Sequence, residues 1–154
     1  MMIHLSRRFL WWVFALIVLC LPAQSLVGQS ERLTTLRVTV LDFANTSGTA
    51  GVAVWNMGRG FPEEIEHAVA TSYADITDGR AVAEFHSLVP GIYAVTVFHD
   101  ENSNRRFDKN WLGVPREAWG VSNNVRPWAR APRFDEARFN VAAGLHDITI
   151  HLKR

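Results

Sequence analysis

Cysteine is almost missing from this 154-residue sequence: it has one, Cys20. That residue lies inside an apolar N-terminal run, so the rest of the chain has no disulfide and no thiol chemistry. Charge of one sign is also missing. Lys and Arg number 16 against 15 Asp and Glu, and the arginines are scattered. A nucleic-acid binder would show a clustered basic excess, so that class is set aside. No G-x-S-x-G nucleophile motif is present. No G-K-[ST] follows Gly58-Arg59-Gly60, which excludes a phosphate loop. Long helical periodicity, internal repeats and low-complexity runs are absent too. Hydrophobic residues make up 48% and charged residues 20%, an ordinary balance that excludes wholesale disorder.

What is there begins with a leader. Arg7 and Arg8 precede an apolar run from Phe9 to Leu21, then Pro22-Ala23-Gln24-Ser25. A positive start, a short apolar core and a small-x-small exit predict a secretory signal peptide helix over 1–25. The run is shorter than the ~20 residues a bilayer crossing needs. The alternative is an uncleaved N-terminal anchor, which would be the chain's one membrane contact. A lipoprotein would need a small residue before Cys20, and Leu19 is not small. Without Arg7 and Arg8, 14 basic residues face 15 acidic ones, a net charge of about −1. The expected location is secreted or periplasmic. Residues 26–35 read as a linker and 36–154 as one domain, which holds together by core packing in an oxidising compartment.

That domain reads as strands. Leu36–Phe43 alternates apolar and polar residues, and Asn45–Thr49 is a turn cluster before a second strand, Ala50–Asn56. Glu63–Ala70 fits one or two helical turns or, preferably, an irregular crossover with a short strand at Ala68–Ser72. Asp78-Gly79 is a turn, and Arg80–Phe85 is a strand. Pro90-Gly91 suggests a type II turn. Gly91–Phe98 is apolar on both faces, which makes it the central strand of its sheet. Ala137–Val141 and His146–Leu152 complete the set, with Ile148, Ile150 and Leu152 facing in. Six or seven short strands in one small domain imply an all-β antiparallel two-sheet sandwich of immunoglobulin-like kind.

The chemistry concentrates after the central strand. Asp100-Glu-Asn102-Ser-Asn104-Arg-Arg-Phe-Asp108 spells D-x-N-x-N-x-x-x-D. Oxygen side chains at alternate positions of a tight turn point inward and gather hard ligands for calcium. The expected donors are Asp100, Asn102, Asn104 and Asp108, with the carbonyl of Arg106. Arg105 stands where such a turn wants glycine, so it must take a positive φ or reshape the loop. Only two of the four side chains are charged, which predicts a weak site. The alternative is an Asx-rich loop that satisfies its own amides. Calcium is the one cofactor the sequence suggests.

His86, His99 and His146 follow no metal-ligand spacing, and a structural histidine is the expected role of His99 at its strand end. Trp111, Trp119 and Trp128 follow in loop-like sequence. They are either a stacking platform or, as burial trends for large aromatics favour, a roof on the core. The expected ligand-binding set is His99, Trp111, Trp119, Ser122, Asn123 and Asn124, on one end shared with Phe61. The ligand would be a polar small molecule, a glycan or a protein of the envelope or the extracellular space. The competing reading is a hydrolase using His99, Asp100 and Glu117.

Three segments resemble a known family: Val54-Trp-Asn-x-Gly-x-Gly-Phe-Pro62, Leu88-Val-Pro-Gly-Ile-Tyr-Ala-Val-Thr-Val-Phe-His-Asp-Glu-Asn102, and Leu112-Gly-Val-Pro-Arg-Glu-Ala-Trp-Gly-Val-Ser-Asn-Asn124. They are similar to the bacterial secreted proteins grouped as domain of unknown function 2141. The resemblance runs from about Leu36 to the C-terminus. It implies export and a transthyretin- or Cna-B-like sandwich, with glycine as the usual residue where Arg105 stands. It implies no activity, cofactor or catalytic residue.

Overall fold

The alternating segments become eight strands in a computed structural model that describes residues 33–154. The expected signal peptide and most of the expected linker lie outside the described residues. The strands are β1 (Thr34–Leu41), β2 (Thr49–Trp55), β3 (Ala70–Asp75), β4 (Ala81–Leu88), β5 (Gly91–Asp100), β6 (Trp119–Val121), β7 (Phe139–Val141) and β8 (Gly144–His151). A single helical turn, α1 (Phe134–Ala137), precedes β7. The crossover before β3 holds a 3₁₀ turn, Ile65–His67, so both expected ingredients are present and the strand starts at Ala70.

Two sheets form. One has the order β4-β1-β8 and the other β3-β2-β5-β6, with β7 also on β5. The pairs are antiparallel except β1 with β8, which run parallel from Thr34↔Gly144 to Leu41↔His151. This differs from the all-antiparallel expectation. Alternation specifies a strand's buried face but says nothing about its neighbour's direction. The loop before β5 also differs. Gly91 has no positive φ, and the nearest left-handed residue is Ser87, at φ 61° near the end of β4.

Leu36, Val38 and Val40 of β1, Ala83 and Phe85 of β4, and Ile150 of β8 form one core with Val52, Val54, Val95 and Val97 of the other sheet. Beta-branched side chains suit such a pleated, fully covered surface. The opposite face of the larger sheet is also covered. Ala53, Trp55, Ala94, Val121 and Ala137 cluster there under Phe61, Trp119 and Phe134. Apolar residues on both faces of β5 thus reflect burial on both faces. Gly51 serves this second layer: a Cβ there would stand 2.3 Å from the Phe98 ring. The C-terminus ties the sheets together, with Leu152 donating to the Leu41 carbonyl at 3.0 Å and Lys153 to that of Trp119 at 3.0 Å.

Candidate functional site

Strand alternation parts the last two residues of β5. His99 turns into the sandwich and Asp100 to the outer face. His99 is wholly buried. Its Nε2 donates to the Ser47 carbonyl at 2.7 Å, which fixes the proton on that nitrogen. Its ring lies edge-on to Phe43 at 5.1 Å. Nδ1 has no hydrogen-bond partner and stands 3.9 Å from Glu101 Oε1.

Asp100 is also wholly buried. Its Oδ1 accepts the Asn104 amide at 3.0 Å and its Oδ2 the Arg105 amide at 2.8 Å. These bonds roll the chain into a tight turn. Asn102 Oδ1 accepts the Asn104 amide at 3.0 Å, and Asn104 Oδ1 the Arg106 amide at 2.7 Å. The side-chain amides of Asn102 and Asn104 both donate to Asp108 Oδ2, at 2.8 and 3.1 Å. The four side chains that the spacing singled out therefore meet, and the loop's amides are satisfied by the same residues. Arg105 adopts the left-handed conformation its position demands, at φ 60°. Tyr73 supports it: its hydroxyl donates to the Arg105 carbonyl at 3.1 Å, and the guanidinium lies 5.4 Å above its ring.

Glu117 joins this loop from the far side of an excursion. It is 4% exposed, and its Oε2 accepts the Asp108 amide at 3.0 Å. Its Oε1 is buried without a partner. Burial pushes the Glu117 carboxyl above its ordinary range. The Asp108 amide and, less strongly, the Glu101 amide oppose that shift, and the Asp108 and Asp100 carboxylates add to it. Sequence reasoning placed Glu117 only in the hydrolase trio. The signal linking it to the loop was alternation: Ala118 enters the core, so Glu117 faces outward with Asp100.

Between Asp108 and Glu117 the chain makes a small hairpin. Arg116 donates to the Asp108 carbonyl at 2.9 Å, and Lys109 pairs with Pro115. Asn110 Oδ1 accepts the amides of Leu112 and Val114, both at 2.9 Å. The tip projects Trp111, 90% exposed, beside the exposed Leu112 and Val114. Trp128 is fully exposed. The roof expected of these two tryptophans is not formed, because both sit on excursions that carry them off the sheets. Trp119 is half-buried, with the Arg126 guanidinium 5.1 Å over its ring.

Ser122, Asn123 and Asn124 are committed to backbone. Ser122 Oγ accepts the Val95 amide at 2.9 Å and donates to the Ala137 carbonyl at 2.6 Å. Asn123 donates to the carbonyls of Glu136 and Arg138, each at 3.1 Å. Asn124 Oδ1 accepts the His151 amide at 2.9 Å. The expectation of one shared end for all these residues is corrected by register. Asp100 lies opposite Thr49, and Ala94 lies opposite Trp55, the residue Phe61 packs against. Six residues of strand, roughly 20 Å, separate those levels. Ser122 binds near the second level, at Val95.

The hydrolase trio offers no open atom. His99, Asp100 and Glu117 are buried, and both Asp100 oxygens are held by amides. Glu64, Glu66 and His67 form the one group of three metal-donor residues, among those described, whose ligand atoms lie within 4.8 Å of one another. It sits on the surface turn before β3, and both glutamates are exposed. The carboxylates of Asp100, Asp108 and Glu117 are more loosely set than that.

No curated protein and no solved structure matches the chain. One family model does, across residues 38–149, and by it the chain belongs to the family described as "Uncharacterized protein conserved in bacteria (DUF2141)".

Proposed function

We propose that this protein is an exported β-sandwich that serves the cell envelope as a binding or structural module, with a weak calcium site in the Asp100–Asp108 loop. The observation that carries the site is the meeting of Asp100, Asn102, Asn104 and Asp108 in one turn. Each offers a side-chain oxygen, the chemistry of a hard cation such as calcium, and the cation would take the place of the Asn102 and Asn104 amide groups that now donate to Asp108 Oδ2. Among the described residues no lysine or arginine forms an ion pair with Asp100 or Asp108. Arg105 is drawn over Tyr73, and Lys109 pairs with Glu63. Export is supported by the leader pattern alone. The binding surface this reading favours is the hairpin tip, where the turn closed by Asn110 presents Trp111 to solvent for stacking or partner contact. The backbone duties of Ser122, Asn123 and Asn124 leave them little to offer a ligand. A secreted hydrolase is the weaker reading, because its three residues are buried and partly spent on amides.

Thermal unfolding tests the calcium loop. At ten times the dissociation constant, a ligand that binds only the folded state adds about 1.4 kcal/mol, or roughly 4 °C in a domain of this size. The melting temperature should rise by about that much between EDTA and several-millimolar calcium. An unchanged melting temperature removes calcium from the proposal.

A further inference from the structure

We infer that Glu117, outside the D-x-N-x-N-x-x-x-D segment, is a further ligand of the loop's cation, and that the ion clasps the stem of the Trp111 hairpin. The inference rests on the calcium reading of the loop and extends it. Glu117 is 4% exposed, and its Oε1 is a buried carboxylate oxygen without a full hydrogen bond; the nearby Glu101 amide favours the ionised carboxylate but donates to the His99 carbonyl at 3.0 Å. Leaving such an atom unpaired is costly unless a proton or a cation takes it. The other oxygen fixes the carboxylate against the loop through the Asp108 amide. No lysine or arginine among the described residues pairs with Glu117. A divalent cation would offset most of the negative charge of Asp100, Asp108 and Glu117, and three charged ligands hold calcium more tightly than two.

Placement gives the ion a second consequence. Asp108 and Glu117 are the residues that bracket the hairpin, and Arg116 donates to the Asp108 carbonyl at 2.9 Å. An ion shared by the two closes that stem. The ligands of one calcium ion lie within about 5 Å of each other, twice the metal–oxygen distance. The oxygens of these three carboxylates do not all come within 4.8 Å of one another, so binding draws the loop and Glu117 together. The hairpin that carries Trp111 then becomes more ordered in calcium than without it.

Calorimetric calcium titration of the chain and of two variants tests the inference. Glu117→Gln keeps the shape and removes the charge. Glu101→Gln removes a neighbouring carboxylate that pairs with Arg154. Glu117→Gln should weaken calcium binding roughly ten-fold or more, by analogy with losses at metal-supporting residues, and Glu101→Gln should leave it near the parent value. Amide exchange at Leu112 and Val114 should slow on adding calcium to the parent and respond less in Glu117→Gln. Should Glu117→Gln not fold, Glu117→Asp, which withdraws the oxygens by one carbon, carries the same criterion. Parent-like calcium affinity in the Glu117 variant overturns the inference and leaves the loop site standing. No calcium binding by the parent overturns both.

Discussion

Arg105 holds a backbone conformation that costs an L-residue roughly 1 kcal/mol or more, and the structure shows what offsets it. Tyr73 takes both its carbonyl and its guanidinium. Arg105→Gly would remove the backbone strain and also lose the ring contact and the unfolded-state restriction of a side chain. The expected stability change in the absence of calcium is within about 1 kcal/mol of zero, measured by urea unfolding. Calcium affinity should rise, because a positive charge leaves the neighbourhood of the ligands. A fall in affinity would mean that Arg105 helps to shape the site. At this scale the sequence was partly legible. The special role of position 105 follows from the spacing of its neighbours, because a turn's φ demands are local. The exposure of Trp111 and Trp128 and the backbone duties of Ser122, Asn123 and Asn124 were not legible. They depend on which distant strands arrive beside them.

Among the elements, β5 was the most readable, since a strand apolar on both faces has few places to go except the centre of a covered sheet. The short elements were the least. A four-residue helix such as α1 carries no periodicity to detect, and it is held by side chains instead. Glu136 Oε2 accepts the Arg133 amide at 2.9 Å, and Arg130 grips the same carboxylate with both terminal nitrogens. The Arg130 guanidinium, then the Arg133 amide, hold the Glu136 carboxyl down at about 2. The folded value is below the ordinary one of 4.5. The contribution to stability is therefore present above 4.5 and is lost as pH falls toward 2. The stability gap between the parent and Glu136→Gln should narrow over that interval, followed by unfolding at a series of pH values. The group is exposed, so the gap is small and shrinks in high salt. A gap that is constant down to pH 2 would show that the ion pair contributes nothing.

For the whole molecule, the all-β sandwich was legible because strand length, alternation and turn residues all pointed the same way. The parallel β1–β8 pair was not, since direction is set by how the chain crosses between sheets. The candidate site was legible in part. Four of its oxygen donors lie within nine residues and show as spacing. The fifth, Glu117, arrives only because the hairpin returns it to Asp108. The central claim is that these five side chains hold one ion at the outer face of the larger sheet. A crystal structure determined in calcium tests it most directly. The account predicts a single strong peak, about 2.3–2.6 Å from oxygens of Asp100, Asn102, Asn104, Asp108 and Glu117. Density without a peak between them, or a peak that Glu117 does not reach, would contradict it.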